Sequence, residues 1–258
     1  MNAIKDYQFY TTEMCKALQE KLFFMDKINV NYLMDYGCAD GSLIESMHQY
    51  YPGINYIGYD IDKEMIEKAK DKKIPNSLFT TNLKLANTMT HSVLTHSGIL
   101  CSSVIHEVYS YGNQESIKAF WDNLYCGTYD YVIIRDMALS EKEMVDDRIT
   151  NPSDLIALKK RANPSQISDF ENIWGSLSIK KNFIHFLLKY RYLANWDREV
   201  TENYFPVTIE EHLKAIPDNY QIVFFEHQPL PFIQQTVKND FGIVLENKTH
   251  IKLIIKKK

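Results

Sequence analysis

A chain of 258 residues, 45% hydrophobic and 24% charged, has the composition of an ordinary globular protein and is long enough to bury one large core or two small ones. Its formal net charge of −4 supplies no basic field, which excludes bulk electrostatics as the means of holding nucleic acid or an anionic membrane. The four cysteines include no CxxC pair, no stretch approaches the ~18 apolar residues of a membrane span, and residues 1–30 do not read as a signal peptide, so a soluble, reducing, cytoplasmic setting is expected.

Apolar residues at helical spacing (Tyr7, Tyr10, Met14, Leu18, Leu22) predict an amphipathic helix over residues 6–25, within an N-terminal segment 1–31. Strand and helix patterns then alternate. "YLMDYGC" reads as a strand and "DGSLIESMHQYY" as a helix; "NYIGYDI" is a second strand and "DKEMIEKAKDKK" a helix capped by Asp62, with "SLFTTNL" a third strand. "SGILCSSVI" has the continuous apolar-to-small character of a buried parallel strand. "NQESIKAFWDNLYCG" is a helix opened by Asn113, and "YDYVIIRDM" is a further strand. This alternation predicts an α/β fold, a doubly wound and mostly parallel sheet.

After Met137 about seventy residues of helical pattern interrupt the sheet, predicting an all-helical insertion over 138–206. Asn-Pro pairs at 151 and 163 each supply an N-cap and a first helical residue, and "KKNFIHFLLKYRYLANW" predicts a third helix with Phe183, Phe186, Leu187 and Tyr190 on one face and Lys181, His185 and Lys189 on another. "TIEEHLKAI" then opens with a capping box of Thr208 and Glu211, and "YQIVFFEH" and "HIKLIIKK" are the closing strands, with the direction of the last one left open by pattern. The segment 229–248 has room for a partial helix. One domain, 32–137 with 207–258, carrying an insertion fits better than two independent domains.

The informative stretch is "MDYGCADGSL" at 34–43, where a strand runs into a turn with Gly37, Ala39 and Gly41. Glycines there allow positive φ or the close approach of a ligand, at the place where open α/β sheets bind nucleotide-like molecules. The spacing is not GxGxxG, because Ser42 stands where the third glycine belongs, and no GK[ST] follows, so neither a dinucleotide site nor a P-loop is expected.

This stretch resembles the first motif of the class I S-adenosylmethionine-dependent methyltransferases. "YIGYDIDKEMIEKAK" is similar to that family's second-strand motif, with Asp60 falling 19 residues beyond Gly41, and "ILCSSVIHEV" to its fourth-strand motif. The resemblance covers about 32–137 and 207–257 and implies a seven-stranded Rossmann-like methyltransferase fold with S-adenosyl-L-methionine as cofactor. It implies that Gly37, Ala39, Gly41, Ile61 and Ser103 line the cofactor, that Asp35 bonds near its amino group, that Asp60 accepts from the ribose hydroxyls, and that Asn82 lies near the adenine. Ala39 departs from the family's usual glycine, and its methyl group points to crowding of the cofactor's methionine part.

His106, Glu107, Tyr109 and Tyr111 follow the fourth strand at the mouth of the expected site, with His106 as a candidate general base or a positioning residue. "HEVYS" lacks the second histidine of HExxH and no metal is expected. Ser102–Ile105 replace the [DN]PP[YFW] motif of methyltransferases acting on exocyclic base amines, and no cysteine follows a proline, so DNA bases are disfavoured as acceptors. Between Ser178 and Arg198 five basic residues stand against one acid, interleaved with aromatics including Tyr190 and Trp196. That mixture suits a small nucleotide-like or anionic acceptor touched by Tyr111, Tyr190 and Trp196 under a helical lid; RNA is an alternative, as is a solvated amphipathic helix. From another class, the chain could be a non-catalytic cofactor-binding subunit of a larger assembly. Oligomeric state is not legible in the sequence.

Overall fold

The computed structural model of the chain describes residues 18–91, 96–145 and 148–258. Most of the helix expected over 6–25, with Tyr7, Tyr10 and Met14, lies outside these residues; its end is α1 (Leu18–Lys21). Seven strands follow: β1 (Tyr32–Tyr36), β2 (Asn55–Tyr59), β3 (Ser77–Thr80), β4 (Ser97–Ser102), β5 (Tyr131–Met137), β6 (Tyr220–Gln228) and β7 (His250–Lys257). They form one sheet in the order β3-β2-β1-β4-β5-β7-β6. The first five strands pair parallel, and β7 runs antiparallel to both β5 and β6, which settles the direction that pattern left open.

Local chemistry explains the helix starts. Asp62 accepts from the N–H groups of Glu64 and Met65 and opens α3 (Lys63–Asp71) after α2 (Ser42–Tyr50). Asn113 and Ser116 cap one another at the start of α6 (Gln114–Leu124), as Thr208 and Glu211 do later in the chain. Two helices escape the alternation pattern: α4 (Leu83–Thr90), capped by Asn82, and α5 (Ile105–Tyr111), which carries His106 and Glu107 on a helix rather than a loop.

β4 and β5 are buried along their whole length, as central parallel strands must be when helices cover both faces. Met34, Cys101, Ile134 and Leu253 face one core; Leu33, Leu100, Ile133 and Ile254 face the other. Between β5 and β6 the chain is helical: α7 (Glu141–Met144), α8 (Pro152–Arg161), α9 (Pro164–Trp174), α10 (Lys180–Lys189), α11 (Trp196–Glu199) and α12 (Ile209–Lys214).

Most of these helices build a third core with α13 (Pro231–Phe241), whose Val237 and Phe241 pack among Phe170, Phe183 and Leu187. The helical layer therefore recruits the segment in which sequence showed only room for a partial helix. The structure also corrects the picture of α10 as a helix with one solvated face. Every residue from Asn182 to Lys189 is buried, because α10 runs through the middle of the layer. His185 is enclosed by the rings of Phe170, Trp174, Tyr204 and Phe205. Lys189 donates to the carbonyls of Glu199 and Glu202.

Candidate active site

The turn after β1 is set by backbone geometry. Gly37 has φ +80°, Ala39 +47° and Gly41 +74°, all in the left-handed region. Gly37 allows close approach as well: a Cβ built there would lie 2.6 Å from a methyl carbon of Val104. Ala39 is compelled into its conformation by tethering, its N–H donating to Asp60 Oδ2 at 2.8 Å. Asp60 Oδ1 accepts from the Asp62 N–H at 2.9 Å. The carboxylate at the end of β2 thus holds the glycine turn of β1, and burial raises its pKa while these N–H groups pull it down.

A cavity of about 550 Å³, within the ~300–1,000 Å³ typical of ligand pockets, runs over this edge of the sheet. Its walls pass from Tyr59, Asp60 and Ile61 over Gly37 and Ala39 to Ser102 and Ser103, and on to Arg135 and His250. A second wall is made by His106, Glu107 and Tyr111 of α5 with Glu199, Glu202 and Tyr204 at the end of the helical layer. The position matches the strand-end crevice of open α/β sheets.

The second wall is a connected polar network. Asp136, at the end of β5, takes the Ile105 N–H on Oδ2 at 2.7 Å and faces His106 Nδ1 with Oδ1 at 2.8 Å, and so caps α5 from a distance. His106 Nε2 lies 3.7 Å from Glu202 Oε2. The Arg198 guanidinium forks between two glutamates, with Nη2 to Glu107 Oε1 and Nε to Glu202 Oε1, both at 2.8 Å, and Tyr111 donates its hydroxyl to Glu202 Oε1 at 2.8 Å. Burial lowers the His106 pKa, but Asp136, Glu202 and Glu107 outweigh it and push the imidazole up to about 9. These carboxylates favour the protonated imidazolium, with Nδ1 donating to Asp136. Burial lifts Glu107 to about 7, with Arg198 pulling the other way.

The sequence-derived site residues divide accordingly. Gly37, Ala39, Asp60, Ile61, Ser103, His106, Glu107 and Tyr111 line the cavity. Gly41 lies behind it, heading α2 where an added Cβ would meet Phe79 and Ala69. Asp35 is buried below the turn, with its carboxyl pushed up to about 7 by burial against the opposing charge of Lys21. Asn82 accepts from the Leu85 N–H through Oδ1 as a helix cap and is not among the residues that line the cavity. Tyr109 accepts from the Trp121 indole N–H at 3.0 Å, on the α6 side.

Tyr190 and Trp196 are corrected outright: both are packed in the third core, bonded to Asp240 and Asp169. Missed from sequence were Arg135, Asp136, Arg198 and Glu202. The signal for the first two was a charged pair ending a strand that is otherwise apolar.

Residues 34–121 match the family model described as a methyltransferase domain. Over this third of the chain the sequence is that of a methyltransferase domain. A search of curated proteins finds no match. Among solved structures, the fold is similar to the plantazolicin methyltransferase BpumL in complex with a triazolic desmethylPZN analog and SAH, at 14% identity and TM-score 0.51 over 97% of this chain and 88% of that one. It is also similar to the small RNA methyltransferase HEN1, at 14% identity and TM-score 0.50 over 100% of this chain and 26% of that one. These likenesses show a shared fold.

The methyltransferase family's cofactor is S-adenosyl-L-methionine, and the residues present fit it. Gly37 offers a floor that no side chain could share, and Asp60 presents a partly buried carboxylate to the cavity. Gly37→Ala is expected to cost about 2 kcal/mol or more of stability, from the positive φ and the Val104 contact together, and to abolish S-adenosylhomocysteine binding. Thermal unfolding with calorimetric titration checks both effects, and a stable variant that still binds would remove Gly37 from the cofactor floor.

Proposed function

We propose that the protein transfers a methyl group from S-adenosylmethionine to a small-molecule acceptor held between α5 and the helical layer. The observation that carries this reading is the continuity of one cavity from Asp60 and Ala39 to Glu107, Tyr111 and Glu202. When bound, the cofactor supplies an electrophilic methyl carbon on sulfur. The chain's share is then mainly positioning and the exclusion of water. Asp60 and the Gly37–Ala39 turn hold the adenosyl part, while the helical layer covers the acceptor end as a lid.

Where the acceptor atom carries a proton, Glu107 is the group placed to take it. It lines the cavity, its side chain is about a quarter exposed, and its carboxyl titrates near neutrality. His106 already holds its proton against Asp136, so its part is to orient Glu202 and α5. Five carboxylates, Asp60, Glu107, Asp136, Glu199 and Glu202, lie in or beside this cavity, matched by Arg198 and His106 on the acceptor side.

The RNA alternative draws less support from the helix that suggested it. Phe183, Phe186, Tyr190 and Trp196 are core residues unable to stack on bases, and Lys189 and Arg198 are buried in bonds of their own. The fold alone does not choose, since the two solved neighbours act on different acceptors by name.

The test is to incubate the protein with methyl-labelled cofactor and a fractionated cell extract. Label is expected in the small-molecule fraction and lost with Glu107→Gln. Label in RNA would favour the alternative, and label in no fraction would favour a non-catalytic cofactor-binding subunit.

A further inference from the structure

Arg135 lies near the end of the all-buried strand β5 and is 3% exposed, yet among the described residues it has no carboxylate partner. Its Nη1 donates to Ser103 Oγ at 2.8 Å, and its Nε makes no hydrogen bond. The nearest acids are engaged elsewhere: Asp136 points to the opposite face of β5 toward His106, and Glu20 pairs with Lys252, the cross-strand neighbour of Arg135. Burial accordingly lowers the guanidinium's pKa. A second orphan stands beside it. Ser102 is registered opposite Arg135 on β4, so the two side chains share a face, and the Ser102 hydroxyl is buried without a partner. Both residues line the cavity, as does Lys21.

A buried guanidinium left without an anion is costly, and two partnerless donors on one face of a ligand cavity form an incomplete hydrogen-bonding site. Ser103, held at φ +58° with its N–H on the Arg135 carbonyl at 2.7 Å, curls the end of β4 so that its hydroxyl fixes the fork. We propose that Arg135 and Ser102, oriented by Ser103, form a carboxylate-recognition site in the cavity wall. Arg135 Nε–H and the Ser102 hydroxyl donate to an anionic group, in the charge-assisted geometry that favours arginine over lysine. The inference rests on reading the cavity as the cofactor and acceptor site. The carboxylate could come from two sources, the amino-acid end of the cofactor or an acid group on the acceptor.

Calorimetric titrations separate these sources. In the first arm, wild type and R135Q are titrated with S-adenosylhomocysteine and with 5′-methylthioadenosine, which lacks the amino-acid carboxylate. If the cofactor supplies the group, R135Q is expected to lower the affinity ratio of the two ligands by about tenfold or more, the value of one charge-assisted bond. In the second arm the protein saturated with S-adenosylhomocysteine is titrated with benzoate and benzyl alcohol. If the acceptor supplies the group, wild type prefers benzoate and R135Q does not.

Either loss of discrimination supports the site, and R135Q with both discriminations intact overturns it. Should R135Q fail to fold, R135K and S102A carry the same comparison, and unchanged ratios in both overturn the proposal. The melting temperature of the ligand-free protein is a further readout. R135M, which removes an unpaired buried cation, is expected to melt no lower than wild type, and a marked drop would make Arg135 a structural residue and overturn the site. Wild type that fails to bind S-adenosylhomocysteine would sink the reading of the cavity itself, whereas intact wild-type binding with unchanged ratios in the variants sinks only the role of Arg135.

Discussion

Replacing Asp60 by alanine is expected to weaken S-adenosylhomocysteine binding by about two orders of magnitude or more. Two ribose hydroxyls donating to one carboxylate account for it, at roughly 1.5–3 kcal/mol for each hydrogen bond to a charged group. The carboxylate has a second duty, since its oxygens also accept from the Ala39 and Asp62 N–H groups, so the variant loosens the turn that carries Gly37 as well. Asp60→Asn separates the contributions. It keeps one carbonyl acceptor of similar shape, and should hold the turn and the melting temperature better than alanine while still losing most of the affinity. Calorimetric titration of both variants beside thermal unfolding makes the comparison. Affinity within about threefold of wild type in a folded Asp60→Ala protein would remove the ribose assignment.

The turn and the strand-end acid at this edge of the cavity were legible in sequence because their chemistry is local. A left-handed turn after a strand demands glycine or a small residue within a few positions, and a strand-end acid about twenty residues further on is read by counting. The strand–helix alternation, and with it the mostly parallel sheet, was legible for the same reason. Asn82 shows what counting does not see: it follows the third strand as expected, and it also serves as the N-cap of α4, its Oδ1 accepting from the Leu85 N–H. Tyr190 and Trp196 failed. Helical periodicity tells which residues share a face and not how many faces are covered, and α10 is covered on all of them. The Arg198 fork was out of reach, since Glu107 and Glu202 stand 95 positions apart and only the packing of the helical layer on α5 brings both to one guanidinium.

That network governs the response to pH. The folded-state pKa of His106 is about 9 against an ordinary 6.5, so folding tightens its hold on the proton. The stabilisation is fully present below pH 6.5 and is lost as pH rises through 9; a shift of this size corresponds to about 3 kcal/mol. Glu107, lifted to about 7, acts in the same direction lower down, because the unfolded chain gives up that proton from about 4.5 upward while the folded protein resists. Lys189 opposes both: burial lowers it to about 7, so the folded protein releases a proton that the unfolded chain keeps until about 10.5, and stability recovers over that range. The wild-type curve alone therefore mixes contributions of opposite sign. The difference between wild type and His106→Gln isolates one of them. Glutamine can still donate toward Asp136 but does not titrate, so the variant's stability deficit should be largest near pH 6 and shrink by about 3 kcal/mol by pH 10, as denaturant unfolding across that range would record. S-adenosylhomocysteine affinity should stay near the wild-type value throughout, because His106 acts on Glu202 and α5 rather than on the adenosyl end of the cavity. A deficit that does not change with pH would mean that His106 is neutral in the folded protein, and would restore it as a candidate base.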